Sequence, residues 1–290
     1  MLPYNERTPD TQYRDCLRTI LNEGDWIQKT PQSVGALTVF GALPKMVFDL
    51  KNGVPLITER KMGFWRKSIA EIIAFMHGVR DLDELEKWGC DFWKDYKGRG
   101  TEFGLEPNDL GPGSYGAAFH DFPMPDGGKF NQVSHILDQL RRFPDIRTHK
   151  ITTWIPFYIG RGGIQKAIVS PCHGDIMFRV INGRLDMLMH QRSADMPIGV
   201  PSNMIQYAAV LLMAARHVGL RPGKYIHDID DAHIYGNQIE RERDRLVGEL
   251  PQYQNVELDP SVEDCFTLRV EHFTLHEYHS HPHLKIPYTP

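Results

Sequence analysis

The sequence has few cysteines and no long hydrophobic run. Its 290 residues include 4 cysteines, and Cys16, Cys90, Cys172 and Cys265 lie too far apart to form a CxxC pair. This scatter favours neither a zinc site nor a disulfide framework, so free thiols in a reducing, cytoplasmic setting are expected. No stretch of about 18 apolar residues is present, which argues against a membrane-spanning helix. The opening segment is polar and contains prolines, unlike a signal peptide.

The sequence also lacks a surplus of positive charge and an internal repeat. Its formal net charge is −4, which argues against a dedicated surface for nucleic acid or for a membrane. With 41% hydrophobic and 24% charged residues, the composition is that of an ordinary globular protein. The histidines between His276 and His283 are interrupted by Pro282 and fit no familiar ligand spacing, so no metal is expected.

Hydrophobic periodicity predicts several helices and strands. Apolar residues spaced three or four apart predict helices over 11–23 and 68–77, and a third helix that Asn131 caps. A fourth helix is predicted after a Ser202 cap, and residues 151–156 are predicted to form a strand.

The most informative stretch contains a predicted hairpin. Asn182-Gly183 indicates a two-residue turn because both turn positions require positive φ. Apolar and polar residues alternate on both sides of it, as in half-buried strands. Counting outward from the turn places Cys172 opposite Ser193, with Arg192 as the next residue. A thiol, a hydroxyl and a guanidinium are therefore predicted to meet at one end of the hairpin.

Cys172 is accordingly the candidate nucleophile. The thiolate is the reactive form of cysteine, and a neighbouring cation lowers the pKa of the thiol. The alternative is a buried cysteine that acts as a small hydrophobic side chain. The convergence of Arg192 and Ser193 with Gln191, which shares the face of Cys172, favours the nucleophile.

Three segments of this region resemble the active-site core of the thymidylate synthase family, which also includes pyrimidine nucleotide hydroxymethylases. They are Pro171-Cys172-His173, Gln191-Arg192-Ser193-Ala194-Asp195 and Gly199-Val200-Pro201-Ser202-Asn203. The resemblance extends over nearly the whole chain from about residue 11. It implies a single α/β domain of the α+β type over residues 1–290, with a large mixed β-sheet flanked by helices. A loop-rich accessory region at 97–130 and a homodimer formed sheet to sheet are also expected.

The resemblance implies transfer of a one-carbon unit from 5,10-methylenetetrahydrofolate to C5 of a pyrimidine nucleoside 5′-monophosphate. Cys172 would add to C6 and turn C5 into a nucleophile. Arg192 would favour the thiolate and bind phosphate, Glu71 would relay protons through water, and Tyr115 would help to remove the C5 proton. The alternatives are that Glu71 lies on the wet face of an amphipathic helix and that Tyr115 packs a loop.

Further contacts implied by the resemblance divide between the two ligands. Residues expected to bind the nucleotide are Gln191, Arg192, Ser193, Asn203, His233, Tyr235 and, from the other subunit of the homodimer, Arg147. Residues expected to bind the folate are Trp93, Asp195 and Gly199. Asn203 favours uracil, because a carboxamide offers both a donor and an acceptor to N3–H and O4 of that base. Relatives that act on dCMP tend to have aspartate there.

Two phosphate-binding arginines of the family are absent. Residues 31–36 differ from the family's Arg-Thr-Gly-Thr-Gly-Thr loop, with Lys29 as a possible substitute, and Thr148 stands where the family has a second arginine. Each lost charge-assisted contact would cost about 1.5–3 kcal/mol unless compensated. The retained Trp93 favours dTMP as product, whereas the eroded phosphate site favours a specialised 5-hydroxymethylase. Thymidylate synthase is narrowly preferred.

Two other classes of protein remain open. A Cys–His hydrolase would need an imidazole within hydrogen-bond reach of the thiol, and adjacent strand residues such as Cys172 and His173 point to opposite faces. A catalytically silent nucleotide- or RNA-binding protein would keep Arg192 and Tyr235 without needing Cys172. The sequence has no aromatic and basic stripe in its favour.

Overall fold

The computed structural model describes residues 1–160, 164–246, 255–276 and 278–289. Helices within these ranges are α1 Gln12–Glu23, α2 Trp65–Met76, α3 Leu82–Lys87, α4 Tyr115–His120, α5 Gln132–Arg142, α6 Gly199–His217 and α7 Ile239–Arg245. Strands are β1 Asp25–Ile27, β2 Ala36–Phe40, β3 Met46–Asp49, β4 Phe122–Pro123, β5 Lys129–Phe130, β6 Lys150–Ile151, β7 Asp175–Ile181, β8 Arg184–Asp195, β9 Arg221–Tyr235, β10 Asn255–Leu258 and β11 Phe273–His276. No helix in the described ranges is long and apolar enough to cross a membrane.

A mixed sheet of seven strands forms the centre of the fold, as expected for its class. Its order is β1-β2-β9-β8-β7-β6, with β3 also paired to β9. The pair β8–β9 is parallel and the other pairs are antiparallel. The crossover between the two parallel strands is α6, which packs against both of them and against α2. The longest strands therefore lie beneath the longest helix.

The hairpin follows the predicted register. Ile181 pairs with Arg184 across the Asn182-Gly183 turn, and both turn residues have positive φ, 50° and 73°. The regular ladder ends at Asp175. The turn therefore sets the register of the two strands, as counting outward from it predicts.

Three helix predictions agree closely with the structure. Helix α1 occupies Gln12–Glu23, and α2 begins slightly before the predicted range, at Trp65. The Asn131 side chain caps α5 by accepting a hydrogen bond from the backbone N–H of Ser134. Local sequence signals were sufficient for these elements, because each has an apolar stripe and a recognisable end.

The start of α6 was predicted incorrectly. Ser202 does not cap this helix, which begins at Gly199. The Asp195 carboxylate instead accepts a hydrogen bond from the backbone N–H of Ile198, just before the helix. The side chain that holds the chain just before α6 therefore comes from the end of β8 rather than from the residue next to the apolar run.

The predicted strand over 151–156 is also wrong beyond its first residue. Strand β6 ends at Ile151. The Asp175 carboxylate accepts from the Thr152 hydroxyl at 2.7 Å and from the Thr153 backbone N–H at 2.9 Å. These bonds hold the chain away from the ladder, and a short 3₁₀ turn follows at Pro156–Tyr158.

The region 97–130 contains more regular structure than its composition predicts. Helix α4 lies within it, packs against α2 and α5, and buries Tyr115 and Phe119. The short pair β4–β5 follows. Part of this region thus belongs to the core, and it brings Tyr115 towards the end of the hairpin.

Candidate functional site

A cavity of about 640 Å³ opens at the end of the β7–β8 hairpin. Its walls combine aromatic, carboxylate, amide and thiol groups, the mixture typical of a ligand site. Nine residues singled out from the sequence lie in these walls: Glu71, Trp93, Tyr115, Cys172, Gln191, Ser193, Asp195, Gly199 and Asn203.

Cys172 lies just beyond the regular hairpin ladder. Its carbonyl accepts from the backbone N–H of Arg192 at 2.7 Å and of Ser193 at 3.4 Å, so the predicted neighbours are neighbours in space. The chain turns at Gly174, which has φ of 104°. A β-carbon there would lie 2.7 Å from Thr153 Cγ2, so the close approach requires glycine.

The guanidinium of Arg192 approaches the sulfur. Its Nη2 lies 3.6 Å from Cys172 Sγ, and its Nη2 and Nε donate to the carbonyl of Pro171 at 3.2 and 3.4 Å. The guanidinium also lies over the ring of Trp154, 5.2 Å from the centroid. Backbone carbonyls and an aromatic face thus hold a cation beside the thiol.

Burial outweighs this cation in its effect on Cys172. Removal from water raises the pKa of the thiol, while Arg192 and the Tyr115 hydroxyl oppose that rise. The Cys172 thiol is therefore protonated near neutral pH. The sequence argument anticipated the cation and missed the larger desolvation effect.

Tyr115 lies against the backbone of Cys172. Its hydroxyl accepts a hydrogen bond from the Cys172 backbone N–H at 2.7 Å. The ring is buried between Phe75 and His173, with centroids 5.1 and 4.5 Å away. Burial raises the pKa of Tyr115 well above its usual value, so the phenol stays protonated.

The imidazole of His173 bonds elsewhere. Its Nδ1 hydrogen-bonds the Tyr207 hydroxyl at 2.7 Å, whereas the Cys172 sulfur contacts Arg192 and the Ser170 carbonyl at 3.6 Å. Burial lowers the pKa of His173 to about 3, so the ring is neutral. This geometry gives no support to a thiol–imidazole pair of the hydrolase type.

Glu71 is buried on α2, with 7% of its surface exposed. Both carboxylate oxygens accept hydrogen bonds, one from Trp93 Nε1 and one from Gln206 Nε2. Burial raises the pKa of Glu71 to about 7 despite these donors. The wet-face alternative is therefore wrong for this residue, and its carboxyl group can gain or lose a proton near neutral pH.

Three amide side chains form a continuous hydrogen-bonded row at and behind the cavity lining, here called the amide wall: Gln191, Asn203 and Gln206. Gln191 Nε2 donates to Asn203 Oδ1 at 3.0 Å, and Asn203 Nδ2 donates to Gln206 Oε1 at 3.0 Å. Each residue has less than a tenth of its surface exposed. Strand β8 supplies the first amide and α6 supplies the other two.

Asp195 lies in the cavity wall near Gly199 and connects to the C-terminal segment. Gln238 Nε2 donates to its carboxylate at 3.3 Å and to the Pro287 carbonyl at 3.0 Å. Burial raises the pKa of Asp195. Residues 283–286 and Tyr288 then complete the wall near Gly199.

Four predicted residues lie outside the cavity walls. Arg192 nonetheless touches the sulfur, and the rings of His233 and Tyr235 lie together, 5.0 Å apart, at the end of β9 beside Asp195. Arg147 is exposed on the loop after α5 and does not meet the other site residues within its own chain.

Sequence analysis missed Gln206, Tyr207 and His227, which support the site from behind. Gln206 follows Asn203 by three residues inside an apolar run, and residues at that spacing share a helix face. That signal could have identified it. His227 carries no local signal, because its partner Gln191 lies on a different strand.

The sequence was compared with models of known protein families. The model described as thymidylate synthase matches residues 11–289, nearly the whole chain. The matched range contains the thiol, the arginine beside it, the amide wall and the segment that completes the cavity. The chain belongs to the thymidylate synthase family, whose members transfer a one-carbon unit from methylenetetrahydrofolate to a pyrimidine nucleotide.

Proposed function

We propose that the protein converts dUMP to dTMP with 5,10-methylenetetrahydrofolate as carbon donor and reductant. The observation that carries this proposal is the placement of the Cys172 sulfur, 3.6 Å from Arg192 Nη2 on the wall of a 640 Å³ cavity. Glu71 and Asn203 face the same cavity. Nucleophile, cation, acid–base group and base-recognition group thus converge on one space.

The reaction begins with addition of the Cys172 thiolate to C6 of the pyrimidine. The C6–S bond forms, and the electron pair of the 5,6 double bond moves onto C5 and O4. C5 then attacks the one-carbon unit and loses its proton. Elimination of tetrahydrofolate leaves an exocyclic methylene, which accepts hydride from that tetrahydrofolate. Dihydrofolate, dTMP and the free thiol result, so each bond formed at sulfur is broken again.

Proton movement is assigned to Glu71 and Tyr115. The Glu71 carboxyl has a pKa of about 7, which suits a group that must both accept and return a proton. Tyr115 lies next to Cys172 and stays protonated, so its hydroxyl would donate a hydrogen bond to the water that accepts the C5 proton. Arg192 stabilises the thiolate once the substrate displaces water from the cavity.

Asn203 reads the base. Its amide lies in the cavity wall beside Gln191 and offers a donor and an acceptor to the uracil edge. Ser193 and Arg192 bind the phosphate, and His233 and Tyr235 hold the sugar hydroxyl from the end of β9. These roles follow from the family resemblance and agree with the positions of the side chains.

Folate would occupy the opposite half of the cavity. Trp93 lies on that wall with Tyr96 at 5.5 Å between centroids, and aromatic surfaces suit a flat pterin ring. Asp195 would accept hydrogen bonds from the pterin, with Gly199 leaving room beside it. The link from Asp195 through Gln238 to Pro287 keeps the C-terminal segment over this half.

A homodimer formed through the sheet completes the proposal. On the face opposite α6, the cross-strand row Met177–Leu188–Ile226–Val47 runs over four strands, and its end members are exposed. An apolar row of this kind is typical of a protein interface. Arg147 lies on a loop whose carbonyls are held by Arg179, at the edge of the same sheet. From there it would reach the phosphate of the other subunit.

The second candidate is 5-hydroxymethylation, in which water rather than hydride adds to the exocyclic methylene. Glu71 favours it, because its carboxyl group lines the cavity and can hold a water near C5 of the bound base. The absent phosphate arginines point in the same direction.

The deciding experiment offers dUMP, dCMP, UMP and CMP separately with methylenetetrahydrofolate and identifies the products by mass. We expect dTMP and dihydrofolate in equal amounts from dUMP. A 5-hydroxymethyl product without dihydrofolate would replace the proposal by the second candidate. Tight nucleotide binding without any product would contradict both enzymatic proposals.

A further inference from the structure

A chain of five buried polar side chains crosses the floor of the cavity. It links β9, β8, α6 and α2 through His227, Gln191, Asn203, Gln206 and Glu71. The first three contacts measure 2.8, 3.0 and 3.0 Å, and Gln206 Nε2 donates to Glu71 Oε2 in the fourth. His227 and Gln206 have none of their surface exposed, so no bulk water competes for these bonds.

The hydrogen bonds of this chain all run in one direction, because His227 donates the first of them. Burial lowers the pKa of His227 to about 3, so the ring is neutral and carries one N–H. Gln191 turns its oxygen towards His227 Nε2, which makes Nε2 the donor. Gln191 Nε2 also donates to the Ser193 carbonyl at 3.0 Å. Both contacts hold the Gln191 amide group towards Asn203.

At the other end of the chain, Glu71 accepts hydrogen bonds. Glu71 already takes a hydrogen bond from Trp93 on one oxygen, and its second oxygen faces Gln206. In its ionised form Glu71 can only accept, and Gln206 turns its nitrogen to Glu71 and its oxygen to Asn203.

Rotating the Asn203 carboxamide by half a turn would therefore cost interactions on both sides. Its nitrogen would meet the nitrogen of Gln191, and its oxygen would meet the oxygen of Gln206. Two hydrogen bonds would become two repulsive contacts inside a buried network. An isolated asparagine would be free to rotate, and this one is not.

We infer that Gln206 and His227 are specificity-determining positioning residues, which lock the Asn203 carboxamide in one orientation and thereby restrict the site to one class of pyrimidine base. This inference rests on the proposed reading of the base by Asn203. Uracil presents N3–H and O4, a donor and an acceptor, whereas cytosine presents N3 and a 4-amino group in the reverse order. A fixed amide matches one order and opposes the other.

The test compares two variants at different links of the chain. Gln206→Met preserves the length and volume of the side chain and removes both hydrogen bonds. His227→Phe preserves a ring and removes the donor. We expect the ratio of the dissociation constants for dCMP and dUMP, measured by calorimetry, to fall about 10-fold in each variant. Each variant removes, on one side, hydrogen bonds that orient the Asn203 carboxamide.

Tyr225→Phe is the matched control. Tyr225 lies two residues from His227 on the same buried face of β9, and its hydroxyl has no hydrogen-bond partner among the described residues. Removing that hydroxyl changes the same core, keeps the ring that lies 5.7 Å from the His227 ring, and breaks no hydrogen bond of the chain. The dCMP to dUMP ratio should stay at the wild-type value.

An unchanged ratio in both variants would overturn the inference. Equal weakening of dUMP and dCMP would overturn it as well, since it would assign both residues a structural role only. Turnover by the wild-type protein is measured in the same samples. Binding with the expected shift in ratio but without product would contradict the proposed reaction while leaving this inference standing.

Discussion

The amide wall and the exposed arginines are built in opposite ways. Gln191, Asn203 and Gln206 are buried and bonded directly to one another, and the order of their donors and acceptors is fixed. Arg192 and Arg147 are exposed charges, and neither lines the cavity of its own chain. A buried network tolerates little change, because each unpaired group is costly. Exposed charges tolerate replacement more readily, because water solvates a group that loses its partner.

The largest expected effect comes from removing the sulfur that lies between these two regions. Cys172→Ala should abolish release of tritium from C5 of dUMP, at least 1,000-fold below wild type, because no adduct can form at C6. Circular dichroism should show an unchanged fold. Cys265→Ala, which removes a buried free thiol outside the cavity, should retain activity. Full activity of Cys172→Ala would remove the mechanism.

The next effect tests the amide wall. Asn203→Asp should move the ratio of kcat/KM for dUMP and dCMP about 100-fold towards dCMP, because a carboxyl group matches the cytosine edge and repels O4 of uracil. Steady-state assays with each nucleotide measure it. Asn203→Ala should lower activity on both nucleotides together. If the aspartate variant kept the wild-type preference, base selection would lie elsewhere.

Removing an exposed arginine should have a smaller effect, on KM for the nucleotide and not on the preference between bases. Arg147→Ala should raise KM for the nucleotide about 10-fold and leave the preference between bases unchanged, because a phosphate contact carries no information about the base. Arg142→Ala, an exposed arginine on α5 that pairs with Asp138, is the control and should leave KM unaltered. A change in base preference on losing Arg147 would break the distinction between the two regions.

The smallest effect concerns stability. The pKa of Glu71 is raised to about 7, so the folded protein holds a proton that the unfolded chain releases. Stability from this proton is present at low pH and is lost as the pH rises through 7. The free energy of unfolding should fall by about 1–2 kcal/mol between pH 6 and pH 8.5, measured by urea titration. Glu71→Gln should flatten this slope, and an equal slope in that variant would assign the titration to another group.

The sequence predicted the parts of the site that depend on local signals. The Asn182-Gly183 turn fixed the register that brings Arg192 and Ser193 to Cys172. Glu71 stood out because a carboxylate inside an apolar run needs partners. The family resemblance supplied Asn203 and Trp93, which then proved to share one cavity.

The parts that could not be predicted depend on contacts between distant segments. Asp195, at the end of β8, accepts a hydrogen bond from the backbone N–H of Ile198 just before α6, which no pattern near Ser202 reveals. The Asp175 carboxylate ends β6 by bonding two threonines across the sheet. His227 meets Gln191 only because β8 and β9 run side by side. Such contacts are set by tertiary packing, which overrides local propensity.

Gly174 has an evolutionary consequence. Even an alanine there would place its methyl carbon 2.7 Å from Thr153 Cγ2 and 2.9 Å from the Tyr207 hydroxyl. Relief would need simultaneous changes on the segment after β6 and on α6, and the second would also free the imidazole of His173. These positions can therefore diversify only together, so a substitution that is tolerated in one descendant would destabilise another when transplanted alone.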